Sequence, residues 1–197
     1  MEKLSIETLD IYYKELVDAF NSRKESIVIN DDRAHNAMVM RCMMEYSGHI
    51  DMYCGKMSIF RKSFYDAIRD CHSAKIAEST RGHIIKAFKT FIEKDGSSIN
   101  IIFEDFKKDY LQDVILGDYF KMFVQRGKVS LFKLGEDSFL KDSINHFCFS
   151  DTRIIRRELD KEMHNATCTM NSQDEYDFAS RNFGRIKTFS KPIEHVC

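Results

Sequence analysis

The segment Cys54-Gly55-Lys56-Met57-Ser58-Ile59-Phe60-Arg61 sets a thiol, an amine, a hydroxyl and a guanidinium within one short stretch. It lies where a strand pattern, His49 to Cys54, hands over to a helical pattern, Met57 to Asp70. Open parallel sheets bind ligands outside the carboxyl ends of their strands, and the free amides at a helix start favour anions. Cys54, Gly55, Lys56, Ser58 and Arg61 are therefore the candidate ligand-binding residues, and the ligand they suit is a small anion. Two histidines, His146 and His164, are the candidates for a nucleophile or general base.

The Cys54 to Arg61 spacing resembles the phosphate loop of cysteine-dependent phosphatases, which places five residues between cysteine and arginine. Here there are six. The extra residue rotates the arginine away from a phosphate held by the loop amides, so a buried strand-end thiol and a surface helix arginine are the simpler reading. Cys71-His72 and His195-Val196-Cys197 are isolated pairs, with no C-x-x-C or H-E-x-x-H companion, so neither a metal nor another cofactor is expected. His35 and His49 receive no assignment. Arg153, Arg156, Arg157, Lys161 and Arg185 form a local basic bias through which nucleic acid could be held, interleaved with Glu158, Asp160 and Glu162. Met38, Met40, Met43 and Met44 share one helical stretch, with Met52 and Met57 close behind. Most of these belong to a core, and an exposed stripe of them would suit a partner helix or a homodimer seam.

Lys and Arg total 30 against 31 Asp and Glu, so no global field draws the chain to nucleic acid or an anionic membrane. With 197 residues and 43% hydrophobic content the chain can bury one continuous core without disulfides, and one domain over 1–197 is expected. No apolar run has the length of a membrane span, and Met1-Glu2-Lys3-Leu4 lacks the apolar segment of a secretory signal. The six cysteines are irregularly and widely spaced, which implies reduced thiols and a cytoplasmic setting.

The elements that must position these groups follow from periodicity. Helical spacing runs from Ile6 to Phe20, Arg33 to Tyr46, Met57 to Asp70, Gly82 to Lys94, Leu111 to Gln125, near Ser138 to Asp142, and Ser172 to Phe189. Strand patterns occupy Ser26 to Asn30, His49 to Cys54, Ile99 to Glu104, Lys128 to Leu134, His146 to Ser150, Arg153 to Glu158 and His164 to Thr169. Alternation of strand and helix favours parallel pairing with right-handed crossovers. The predicted fold is α/β, a mixed and largely parallel central sheet with helices on both faces and an antiparallel C-terminal meander.

That order, with the capping stretch Asn30-Asp31-Asp32-Arg33-Ala34-His35, the strand His49 to Cys54 and the meander around His146-Phe147-Cys148-Phe149-Ser150-Asp151, resembles small degenerate phospholipase D-like domains from about Ile27 to Phe189. Catalytic members carry H-x-K-x4-D. With Asp151 at the aspartate position, the histidine position falls on Ile144 and the lysine position on His146. The resemblance thus implies a scaffold without its nucleophile: a noncatalytic binding or assembly subunit, of a bacterial or phage antiviral defence system, joined to a protein partner or to a second copy as a homodimer. Two other readings stand beside it. One is a phosphodiesterase or nuclease with a rearranged site on His146 and His164, and the other is a sensor of a small anion at Cys54 to Arg61.

Overall fold

Short polar side chains set many of the element boundaries. Ser5 and Thr8 form a reciprocal capping box that starts α1 (Ile6–Asn21). After β1 (Ser26–Asn30), the Asp32 carboxylate accepts the Ala34 amide at 2.6 Å and opens α2 (Arg33–Tyr46). The chain continues through β2 (His49–Cys54), a 3-10 turn (Ser58–Phe60) and α3 (Lys62–Cys71) to α4 (Ala74–Glu93), whose cap is Ser73. Then come β3 (Ser98–Phe103), α5 (Asp118–Gln125), β4 (Val129–Leu134), β5 (Phe147–Ser150), β6 (Ile154–Glu158), β7 (Ala166–Met170), α6 (Gln173–Thr188) and β8 (Ser190–Pro192). The computed structural model describes residues 4–30, 32–136, 138–141, 143–159 and 165–194.

The eight strands of the described residues form one sheet in the order β1-β7-β6-β5-β2-β3-β4-β8. Parallel pairing is confined to β2-β3-β4 at the centre, and every other neighbour is antiparallel. The structure is the expected α/β mixed sheet with parallel pairs at its centre and an antiparallel meander, β5-β6-β7, but most of its strand pairs are antiparallel rather than parallel, because the edge strands β1 and β8 and the meander all join in the reverse direction. The period-two alternation of strand side chains divides the interior in two. Ile50, Met52, Ile99, Ile101, Val129, Leu131, Ile154 and Cys168 pack with residues of α1 to α5. On the other face Tyr53, Ile102, Leu134, Phe149 and Ile155 meet Ala179, Phe183 and Ile186 of α6. Burying Phe183 and Ile186 contributes on the order of 1.5–3 kcal/mol each.

Several boundaries differ from the periodicity reading. The strand β1 runs in the same direction as β2 but lies at the sheet edge against β7, with β7, β6 and β5 between them. The helix expected from Met57 begins at Lys62, because Met57 sits in the left-handed region with φ of 52° and the chain first makes a 3-10 turn. The helix expected from Leu111 begins at Asp118. Before it, the backbone is engaged elsewhere: Lys62 donates to the Asp113 carbonyl at 2.9 Å and Ile115 to the Phe60 carbonyl at 2.8 Å. The helix expected from Gly82 starts at Ala74, since the Ser73 cap outweighs one internal glycine. The described residues near Ser138 form turns, and β8 was not foreseen. The methionines Met38, Met40, Met43, Met44, Met52 and Met57 are all buried, so none supplies an exposed seam.

Asp32 does double duty, since its second oxygen meets Nε2 of the buried His72 at 2.8 Å while His72 Nδ1 accepts the Leu4 amide. Asp32→Ala removes a cap and strands a buried imidazole, and is expected to lower unfolding free energy by about 1–3 kcal/mol in urea titrations.

Candidate functional site

At the carboxyl ends of β2 and β3 the chain brings together the end of one parallel pair and the start of the antiparallel meander. β2 pairs with β3 on one side and with β5 on the other. Because β5 runs against β2, the residue before β5, His146, arrives beside the end of β2. The end of β6 arrives there too, since Glu158 donates its amide to the His146 carbonyl at 2.9 Å. Glu104, the first residue after β3, is tied to the same place by its amide, which donates to the Cys54 carbonyl at 2.9 Å.

The result is a clamp on one imidazole. His146 Nδ1 lies 2.9 Å from Glu158 Oε2, and Nε2 lies 3.1 Å from Glu104 Oε2. The buried Tyr53 donates its hydroxyl to Glu104 Oε1 at 2.9 Å, which fixes that carboxylate. Arg156 Nη2 stands 3.7 Å from Glu158 Oε1, and Arg156 Nε donates to Asn36 Oδ1. Burial on its own depresses the pKa of His146, but the hydrogen bonds to Glu104 and Glu158 and their charges outweigh it, and the net shift is upward. Both ring nitrogens face carboxylate oxygens, an arrangement that favours the protonated ring. Gly55 makes room for the ring: a Cβ there would stand 3.1 Å from His146 Cε1.

A cleft of about 450 Å³ opens over this clamp between α2 and α3. Its lining includes Arg33, Asn36, Lys56, Ser58, Ser63 and Arg156 together with His146 and Glu158. Of the residues singled out by sequence, Cys54, Gly55, Lys56 and Ser58 line the cleft and Arg61 does not. The Arg61 guanidinium instead lies over the Tyr110 ring, 4.9 Å from its centroid. The helix start expected to present amides at Cys54 to Arg61 is displaced to Lys62, as described above. Burial pushes the Cys54 thiol up to about 12, so it is held protonated and is a poor nucleophile.

His146 is thus in the cleft, while His164 and Lys161 lie outside the described residues. Asp151 is at the opposite end of β5, where its carboxylate accepts the Gly48 amide at 3.1 Å. Ile144 packs against the α6 side of the core. The basic residues of the C-terminal third point in different directions. Arg156 reaches Asn36 of α2, whereas its neighbour Arg157 turns to α6, 3.7 Å from Glu175 and over the Phe178 ring. Arg185 lies over the Phe139 ring. His35 stacks on Tyr12, and His49 bonds to Ser98 and Asp51, so the two have separate surroundings. Among the described residues no group of three or more His, Cys, Asp and Glu is arranged to hold a metal ion. No helix among them is long and apolar enough to cross a membrane.

Glu104, Tyr53, Asn36 and Arg33 were not foreseen as site residues. The available signal was Glu104, a single carboxylate directly after the apolar run Ile99 to Phe103 of a central parallel strand.

Two outcomes are expected. His146 has a folded-state pKa above the ordinary 6.5, so the clamp stabilises fully below about pH 6.5 and loses its effect as pH rises through the raised value. The stability difference between the native chain and His146→Gln, followed by urea unfolding, should be largest near pH 6 and shrink towards about pH 9. With iodoacetamide at about pH 8, the exposed Cys71 should be alkylated at least about a hundredfold faster than Cys54, read by peptide mass spectrometry.

No protein-family model matches the chain, and no curated protein matches it. Solved structures do. A phospholipase D family member, nuc from Salmonella typhimurium, superposes with a TM-score of 0.51 at 9% identity over 87% of this chain and 100% of that one. A phosphatidylserine synthase from Haemophilus influenzae gives 0.52 at 10% identity over 87% of this chain and 40% of that one. An archaeal chromatin protein that binds DNA, TrmBL2, gives 0.49 at 12% identity over 95% of this chain and 64% of that one. The chain spans less than two thirds of the synthase and of the chromatin protein. At such identity the likeness is one of architecture, and the fold of this chain resembles that of phospholipase D family members.

Proposed function

We propose that this protein is a noncatalytic binding subunit whose cleft at the carboxyl end of β2 holds a phosphate-bearing anion. The observation that supports this reading is the double engagement of His146. Attack on phosphorus needs a lone pair on a ring nitrogen, and here both nitrogens are taken by carboxylates at 2.9 and 3.1 Å. What remains for the cleft is recognition. Arg33, Lys56 and Arg156 supply cationic donors, Ser58, Ser63 and Asn36 supply neutral polar groups, and Glu158 is the acidic residue of the lining. Its volume of about 450 Å³ suits a small ligand or one or two nucleotides of a strand.

One feature favours the phosphodiesterase alternative. A carboxylate on Nδ1, the place of Glu158, is how a nucleophilic histidine is oriented, and a Glu104 side chain swung aside would free Nε2.

The deciding experiment pairs binding with turnover. Pyrophosphate, a nucleoside triphosphate and a short single-stranded oligonucleotide are each titrated by calorimetry and thermal shift at low salt. At least one should stabilise the fold, by about 2.7 kcal/mol at a hundredfold excess over its Kd. Lys56→Ala should weaken that ligand about tenfold while leaving the unliganded midpoint unchanged. Whether the nucleotide or the oligonucleotide binds tells a small metabolite from a nucleic-acid strand as the phosphate source. Absence of stabilisation by all three overturns the proposal. Turnover of bis-p-nitrophenyl phosphate that disappears in His146→Ala overturns its noncatalytic half and establishes the alternative.

A further inference from the structure

The two edges of the sheet are treated differently. A sheet edge exposes unpaired N–H and C=O groups, and proteins usually blunt it with short strands, charged residues or proline. The β8 edge is blunted in all three ways: it is three residues long and contains Lys191 and Pro192. The β1 edge, Ser26-Ile27-Val28-Ile29-Asn30, has no charge and no proline. It is paired on one side, with β7, and ends the strand order on the other. Val28 packs against the core, whereas Ile27 and Ile29 are 65% and 71% exposed, the most exposed large apolar side chains among the described residues.

We propose that a second copy of this chain pairs with β1, antiparallel, about a two-fold axis through Val28. The strand is self-complementary about that residue. In this register Ile27 of each copy stands opposite Ile29 of the other, and Ser26 stands opposite Asn30. The isoleucines then form two cross-strand β-branched pairs on the same face of the joined sheet. A shift of one residue would set Ile27 and Ile29 against residues of the opposite face, so the pattern selects its register. The ladder and the isoleucines carry the association.

The contact is isologous and closes at two copies. It uses up both open edges and leaves the joined sheet bounded by β8 at each end, the edge already blunted. Self-complementarity is what favours a second copy over an unrelated extended segment. One five-residue strand from each copy makes a contact at the small end for a specific interface, so a weak dimer, with a Kd on the order of micromolar or above, is expected.

Sedimentation velocity from about 1 to 200 µM tests this, the range that brackets such a Kd. The native chain should move from monomer towards dimer across it. Ile27→Lys/Ile29→Lys puts lysine opposite lysine at exposed positions, and should stay monomeric with an unchanged circular dichroism spectrum and Tm. A second measurement fixes the register. In a Cys71→Ser/Cys197→Ser background, Ile27→Cys/Ile29→Cys should form a disulfide-linked dimer on mild oxidation, because directly opposed residues have Cα atoms about 4.5–5.5 Å apart. The single variant Ile27→Cys, whose opposite residue is Ile29, should not. A native chain monomeric throughout, a dimer that survives both lysines, or equal cross-linking of the single variant would each overturn the proposal.

Discussion

The antiparallel pairing of β5 with β2 is the constraint on which the cleft depends. β2 and β3 run in parallel, so their carboxyl ends deliver Tyr53, Cys54 and Glu104 to one rim of the sheet. Had β5 continued the parallel pattern, His146 would have stood at the opposite rim, beside Gly48. Reversal brings His146 to the carboxyl end and Asp151 to the other, where it accepts the Gly48 amide. The next reversal, β6, then brings Glu158 back to His146. Two carboxylates and one imidazole, far apart in the chain, thereby share a few ångströms of space.

That juxtaposition is energetically demanding. Two partly buried carboxylates repel each other, and each loses hydration. The arrangement holds because each has a partner of its own, Tyr53 for Glu104 and Arg156 for Glu158, with the imidazole ring between them for both. Arg156 is itself held by Asn36, so the clamp is continuous with the start of α2. A network of this kind rigidifies a site while tying up the lone pair that nucleophilic chemistry would need. Arg33 and Lys56 add two further cationic groups to the cleft lining.

The scaffold also shows how one sheet serves two packing partners. Alternation along β2 sends Ile50 and Met52 to the five-helix face and Tyr53 to the α6 face. The same alternation on β6 separates Arg156 from Arg157, which is why a run of basic residues in sequence is not a basic surface in space. At β1 it leaves Val28 inside and Ile27 and Ile29 exposed.

Much of the architecture was legible from residue order alone, because its signals are local. Period-two and period-3.6 patterns identified β1, β2, β3, β4 and the long helices, and the caps Asp32 and Ser172 marked where α2 and α6 begin. The strand end at Cys54 pointed to the cleft, and Gly55, Lys56 and Ser58 do line it. Other features are decided by contacts that no local pattern carries. Arg61 is drawn away because Met57 turns left-handed and the backbone around Phe60 pairs with Val114 and Ile115. The placement of β1 beside β7 depends on pairing between Ser26–Asn30 and Ala166–Met170, segments near opposite ends of the chain. The clamp on His146 joins residues separated by 42 and 12 positions, and only the hydrogen-bond register of β2, β3, β5 and β6 sets their distance. Local chemistry determined which segments are strands and helices, and the pairing of distant strands determined which of their side chains meet.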